Sequence, residues 1–150
     1  MVEIDGLVVE WSQEHLPSIG GSAWSDPRFH LTVGDGIAWV RDAEAASYDV
    51  VIVDGSDPAG PAEGLFNRTF FAHCRRLLRP GGVIALVDQD PDSAVIRRLP
   101  APIATLLKST EPYLEDYFGL DLPRALEQAG FREVRREACD PRHRVLVAVR

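Results

Sequence analysis

The chain has 150 residues, 45% of them hydrophobic, and a formal charge of −7, which is enough apolar side chain for one domain with a buried core. Its 16 Lys and Arg are spread along the chain rather than gathered into a stripe, which argues against nucleic-acid binding, and no apolar run is long enough to cross a membrane. Cys74 and Cys139 lack metal-ligand spacing and no signal-peptide pattern occurs, so no metal is expected and the cytoplasm is the default compartment.

Strands alternate with helical stretches, the pattern of a mostly parallel sheet with helices packed on both faces. Met1 to Ile4 reads as the end of a strand, and Gly6 to Leu16 brings Leu7, Val8, Trp11 and His15 near one face at helical spacing, closed by Pro17. Ser18 to Pro27 is a loop by its Gly, Ser and Pro content. Arg28 to Val33 alternates like a strand that ends at Gly34-Asp35-Gly36, and Ile37 to Ala45 is a short helix. Tyr48 to Val53 holds the apolar run Val50-Val51-Ile52-Val53, expected of a strand buried on both faces, and it stops at Asp54.

Gly55 to Leu65, with its prolines and glycines, is expected to be an irregular loop, and Phe66 to Leu78 a helix through Phe70, Cys74 and Leu77, ended by Pro80-Gly81-Gly82. Val83 to Val87 is a second buried strand, followed by an acidic loop from Asp88 to Asp92. Leu99 to Leu107 is partly helical. Leu120 to Ala129 is helical with Gly130 as its cap, and Phe131 to Glu137 and Val145 to Val149 form a closing strand pair. Trp11, Trp24 and Trp39 share no spacing and read as core or loop-packing aromatics, and Cys74 as a core thiol.

In open parallel sheets the ligand crevice lies at the carboxyl ends of the strands. Three acidic positions fall there: Glu3, Asp35 within Gly-Asp-Gly, and Asp54, with Asp57 three residues later. A carboxylate at such a place can accept both ribose hydroxyls of a nucleoside, and one beside glycines can accept an adenine amino proton. The plainer alternative, that an Asp after a strand is a turn former or helix N-cap, stands beside it for each position.

Glu3-Ile4-Asp5, Asp26-Pro27-Arg28, Gly34-Asp35-Gly36, Tyr48 to Asp54 and Ser56 to Glu63 resemble spermidine synthases in order and spacing, over roughly the first 85 residues. The resemblance implies a Rossmann-like fold of the kind found in class I methyltransferases. It also implies a transferase that moves an aminopropyl group from decarboxylated S-adenosylmethionine to a polyamine such as putrescine. Glu3 would hold the donor's ribose, Asp35 and Gly36 its adenine, and Pro61 would line the thioadenosine pocket. Asp54 and Asp57 would face the polyamine, with Asp54 as the base. The partner implied is a small polyamine, with no nucleic acid and no membrane, and a homodimer is left open.

The chain departs from that family in three places. No Gly-x-Gly-x-x-Gly segment occurs, as though the chain began one strand after the glycine-rich turn. A Tyr-Pro-Ser-Gly-type segment is also absent. The stretches Asp88 to Arg98 and Lys108 to Phe118, with Leu126 to Phe131, are instead similar to the carboxyl-terminal part of small-molecule methyltransferases. A second reading is therefore a methyltransferase using intact S-adenosylmethionine, and a third a catalytically silent fragment that binds a partner. Without a strand between the one ending near Glu3 and that of Val50 to Val53, two sheet edges are expected to lack neighbours. The chain is then expected to hold nucleotides weakly.

Overall fold

In the computed structural model, residues 1–55, 60–89, 98, 100–103, 119–139 and 143–150 are described. They belong to two units, Met1–Asp42 and Ala43–Arg150. The readings for Asp88 to Arg98, Leu99 to Leu107 and Lys108 to Phe118 lie wholly or mostly outside the described residues.

The first unit is built on two short parallel strands, β1 (Val2–Glu3) and β2 (Thr32–Val33), in register Val2 to Thr32 and Glu3 to Val33. Helix α1 (Gly6–His15) starts where the Asp5 carboxylate accepts the Leu7 N–H at 2.8 Å. The stretch read as a loop from Ser18 contains a helical turn, α2 (Pro17–Gly20), and a 3₁₀ segment (Gly21–Ser25). Pro17 at the first helical position explains the turn, because its fixed φ suits a helix start and its missing N–H is not needed there. The strand read from Arg28 shrinks to two residues. Helix α3 (Gly36–Asp42) follows, with Val40 buried.

Helix α1 differs from its reading in a further way. Of its residues only Val9 is buried, while Leu7, Val8 and Trp11 are exposed, Trp11 by 62%. Helical spacing does align these side chains, but a two-stranded sheet offers too little apolar surface within this unit to cover them.

The second unit carries a four-stranded sheet in the order β3-β4-β6-β5, from β3 (Tyr48–Val53), β4 (Leu78–Gln89), β5 (Arg132–Ala138) and β6 (His143–Val149). Strands β3 and β4 are parallel, and β6 runs antiparallel to both β4 and β5. The closing strand pair is therefore as read.

Helix α4 (Arg68–Leu77) buries Phe70, Phe71, Cys74 and Leu77, at an i, i+3, i+4, i+7 spacing that puts one face against the sheet. It packs on β4 and on α5 (Leu122–Gln128), which buries Leu122 and Leu126. Beneath them Ile84 and Leu86 of β4 and Leu146 and Ala148 of β6 complete the core. Gly130, at φ +92°, ends α5.

Helix α4 ends at Leu77, with Leu78 already extended, so Pro80-Gly81-Gly82 lies within β4 rather than at the helix end where it was read. Tyr48 pairs with Leu78 and Val50 with Val83, so β3 advances two residues while β4 advances five. The extra length bulges out. Gly81 sits at φ +81°, and a Cβ on Gly82 would lie 3.0 Å from the carbonyl oxygens of both Arg79 and Asp49, so no larger residue fits that crossing unchanged.

Strand β3 is not buried on both faces. Val50 and Ile52 are 55% and 70% exposed, whereas Val53 is buried. Within this unit β3 pairs with β4 alone among the described residues, at one end of the strand order. Among the described residues no helix is long and apolar enough to cross a membrane.

Candidate functional site

Because β1 and β2 are parallel and in register, their carboxyl ends point the same way and stand side by side. The Gly34 N–H donates to the Glu3 carbonyl at 2.8 Å, which ties the Gly-Asp-Gly turn to the end of β1. The structure thus brings together Glu3, Asp35 and Gly36. Glu3 is half-buried and Asp35 exposed.

Each acid already has local work. Glu3 Oε1 accepts the Asp5 N–H at 3.0 Å, and Asp35 Oδ1 accepts the Ile37 N–H at 2.8 Å. The Asp35 carbonyl accepts the Trp39 N–H at 3.0 Å, so Asp35 caps α3 as Asp5 caps α1. The plainer alternative is therefore realised at Asp35. It does not exhaust the carboxylate, since one oxygen of Asp35 and one of Glu3 remain outside these bonds. Arg41 of α3 is gripped by Asp42 through Nε at 2.7 Å and Nη2 at 2.8 Å, and Asp35 also attracts its charge.

The turn leaves room. A Cβ built on Gly34 would meet nothing within 4 Å, and one on Gly36 would reach Val2 Cγ1 at 4.0 Å, an ordinary contact. The packing of this unit does not require glycine at either position. Sequence reasoning passed over Asp5, whose capping was legible as an acid two residues ahead of the first apolar residue of α1.

In the second unit Asp54 follows β3 directly and is exposed. A Cβ on the next residue, Gly55, would come within 2.9 Å of Leu65 Cδ1, so the chain leaves β3 pressed under that side chain. Pro61 stands in a 3₁₀ segment (Gly60–Phe66) within the stretch read as a loop. Asn67 anchors the far end: its Oδ1 accepts the Phe70 N–H at 2.9 Å and its Nδ2 donates to the Gly64 carbonyl at 3.0 Å. Asp57 lies outside the described residues. Asp54 and Pro61 thus belong to a different unit from Glu3, Asp35 and Gly36.

Cys74, fully buried, has its thiol pushed up to about 12 by that burial. It is protonated at neutral pH and is a core side chain rather than a nucleophile. Among the described residues no three His, Cys, Asp or Glu side chains converge as metal ligands would.

The family model for the spermine/spermidine synthase domain matches residues 1–114. A polyamine aminopropyltransferase of Prochlorococcus marinus (strain MIT 9313) is 55% identical over 119 residues, which are 79% of this chain and 41% of that protein. The chain therefore spans well under half the length of that relative. Putrescine N-methyltransferase 3 of Nicotiana tabacum is 50% identical over 84 residues, 56% of this chain and 22% of that one.

Among solved structures, a spermidine synthase in complex with the transition state analogue AdoDATO superposes with a TM-score of 0.74 at 24% identity, over 99% of this chain and 45% of that one. A SAM-dependent methyltransferase from Archaeoglobus fulgidus gives 0.62 at 14% identity, over 99% and 74%. These two likenesses establish the Rossmann-like fold.

Proposed function

The chain belongs to the spermine/spermidine synthase family, and from that premise we propose that it serves aminopropyl transfer from decarboxylated S-adenosylmethionine to a polyamine such as putrescine. One observation carries the reading: two carboxylates, Glu3 and Asp35, stand at the adjacent carboxyl ends of paired parallel strands, each with an oxygen outside its local hydrogen bonds. That arrangement suits a nucleoside. Glu3 takes the ribose hydroxyls, Asp35 the adenine amino group above Gly36, and the open space at Gly34 admits the ring. In this proposal the 150 residues act as one methyltransferase-like domain, with Pro61 along the thioadenosine.

The donor supplies a carbon activated by a neighbouring sulfonium. Asp54 supplies the rest of the chemistry, with Asp57 anchoring the amine. An alkylammonium has a pKa of ~10 and cannot attack until it loses a proton. The Asp54 carboxylate attracts the diamine as a cation, orients one nitrogen, and accepts its proton directly or through water. The new C–N bond forms as the C–S bond breaks, and the sulfur leaves as a neutral thioether. The acidic balance of the chain, −7, favours a cationic acceptor over an anionic one.

A second reading, methyl transfer from intact S-adenosylmethionine to an amine, is supported by the 50% identity to a putrescine N-methyltransferase. Glu3 and Asp35 keep their roles in it. Titration calorimetry with the two donors separates the readings, and the decarboxylated donor is expected to bind more tightly. Tighter binding of the intact donor would favour methyl transfer.

A further inference from the structure

The segment that joins β3 to α4 carries Asp54, Asp57 and Pro61, and one side chain ties its far end to the core. Asn67 stands in extended backbone at the N-cap of α4, with both halves of its amide engaged. Its Oδ1 accepts the Phe70 N–H at 2.9 Å, in the first turn of α4, while its Nδ2 donates to the Gly64 carbonyl at 3.0 Å, within the 3₁₀ segment. The Asn67 carbonyl also accepts the Phe71 N–H at 3.1 Å. Phe70 and Phe71 are buried, so the grip on Gly64 is fastened to the core of this unit. Capping needs only the acceptor half of the amide. Asp caps a helix as well as Asn does, and its carboxylate has no donor.

From this double use we propose that Asn67 is a positioning residue for the amine acceptor, acting on Asp54 through Gly64, Leu65 and Gly55. The inference rests on the reading of Asp54 as the base. Fixing the Gly64 carbonyl fixes the peptide plane that leads into Leu65. Leu65 in turn lies over Gly55, where a Cβ would come within 2.9 Å of its Cδ1. Gly55 is the residue after Asp54, so the seat of Leu65 sets how the backbone leaves β3 and with it the direction of the exposed Asp54 side chain. Ala62 and Phe66, both buried, hold the segment down on either side of Gly64. Apolar burial is non-directional, whereas the amide hydrogen bond fixes an orientation as well as a place.

The test uses the full chain and two variants. Asn67→Asp keeps the cap and is expected to melt with the parent, whereas Asn67→Ala loses both cap and grip and melts lower. Both are expected to bind putrescine about tenfold more weakly than the parent, read by titration calorimetry. The charge added in Asn67→Asp would by itself favour a cation, so a weaker affinity there has the sign of misplacement. Hydrogen exchange separates the two halves of the amide: in Asn67→Asp the amides of Gly64 to Phe66 should exchange faster while that of Phe70 does not change. Parent affinity in Asn67→Asp, affinity that follows melting temperature across the two variants, or unchanged exchange at Gly64 to Phe66 overturns the proposal. A parent chain that does not bind putrescine overturns the reading of Asp54 itself and the positioning role with it, an outcome distinct from failure in the variants alone.

Discussion

In the proposed site the Asp35 carboxylate would serve both fold and ligand. Its Oδ1 holds the first turn of α3, and loss of such a cap costs about 1 kcal/mol. Asp54 carries no such duty, for it is exposed and no described group bonds to its carboxylate. Asp54→Asn should therefore leave the melting temperature nearly unchanged, and under the proposed aminopropyl transfer it should lower turnover ~100-fold or more. Circular dichroism and a steady-state assay read the two halves, and full activity in the variant would reduce Asp54 to a turn residue. Cys74 gives a pH prediction. Burial raises its pKa from 9.0 to about 12, so the folded chain holds that proton more tightly than the unfolded one. The stabilising contribution is complete below pH 9 and is lost as pH climbs toward about 12. Melting curves should fall more steeply over that window for the parent chain than for Cys74→Ala. Parallel curves would show that the thiol does not titrate with unfolding.

Among the elements, β4 carries the most constraint. Its start is a bulge in which Gly81 takes a left-handed φ and Gly82 passes close to two carbonyl oxygens. Gly82→Ala should destabilise by about 1–3 kcal/mol, because the obstructing atoms are backbone and cannot turn aside. Urea unfolding would measure it, with an unchanged midpoint ruling out the close crossing. Helices α1 and α4 make the complementary point. Both show apolar residues at helical spacing, yet Phe71 and Cys74 are fully covered and Trp11 is not. Periodicity states which side chains share a face. Whether anything lies against that face depends on segments distant in the chain.

On the scale of the whole molecule, the two units differ in what holds them. The second has a sheet whose central strands, β4 and β6, are each flanked on both sides and lie under α4 and α5. The first has a two-residue ladder and little buried apolar surface. Hydrogen exchange should therefore be slowest at Ile84 to Leu86 and Val145 to Val147, and fast at Thr32 and Gly34. Equal protection in β1, β2 and β4 would contradict that ordering. The amino-acid sequence by itself determined the family, the alternation of elements, the closing strand pair and the acids at strand ends, because turn residues, capping residues and local periodicity are written over spans of a few residues. Tertiary structure decided that β3 pairs with β4 alone among the described residues of its unit, that Val50, Ile52 and Trp11 are exposed, and that Glu3 and Asp35 stand side by side while each caps or braces its own turn. Those outcomes depend on which strands become neighbours, and neighbours in a parallel sheet come from positions far apart in the chain.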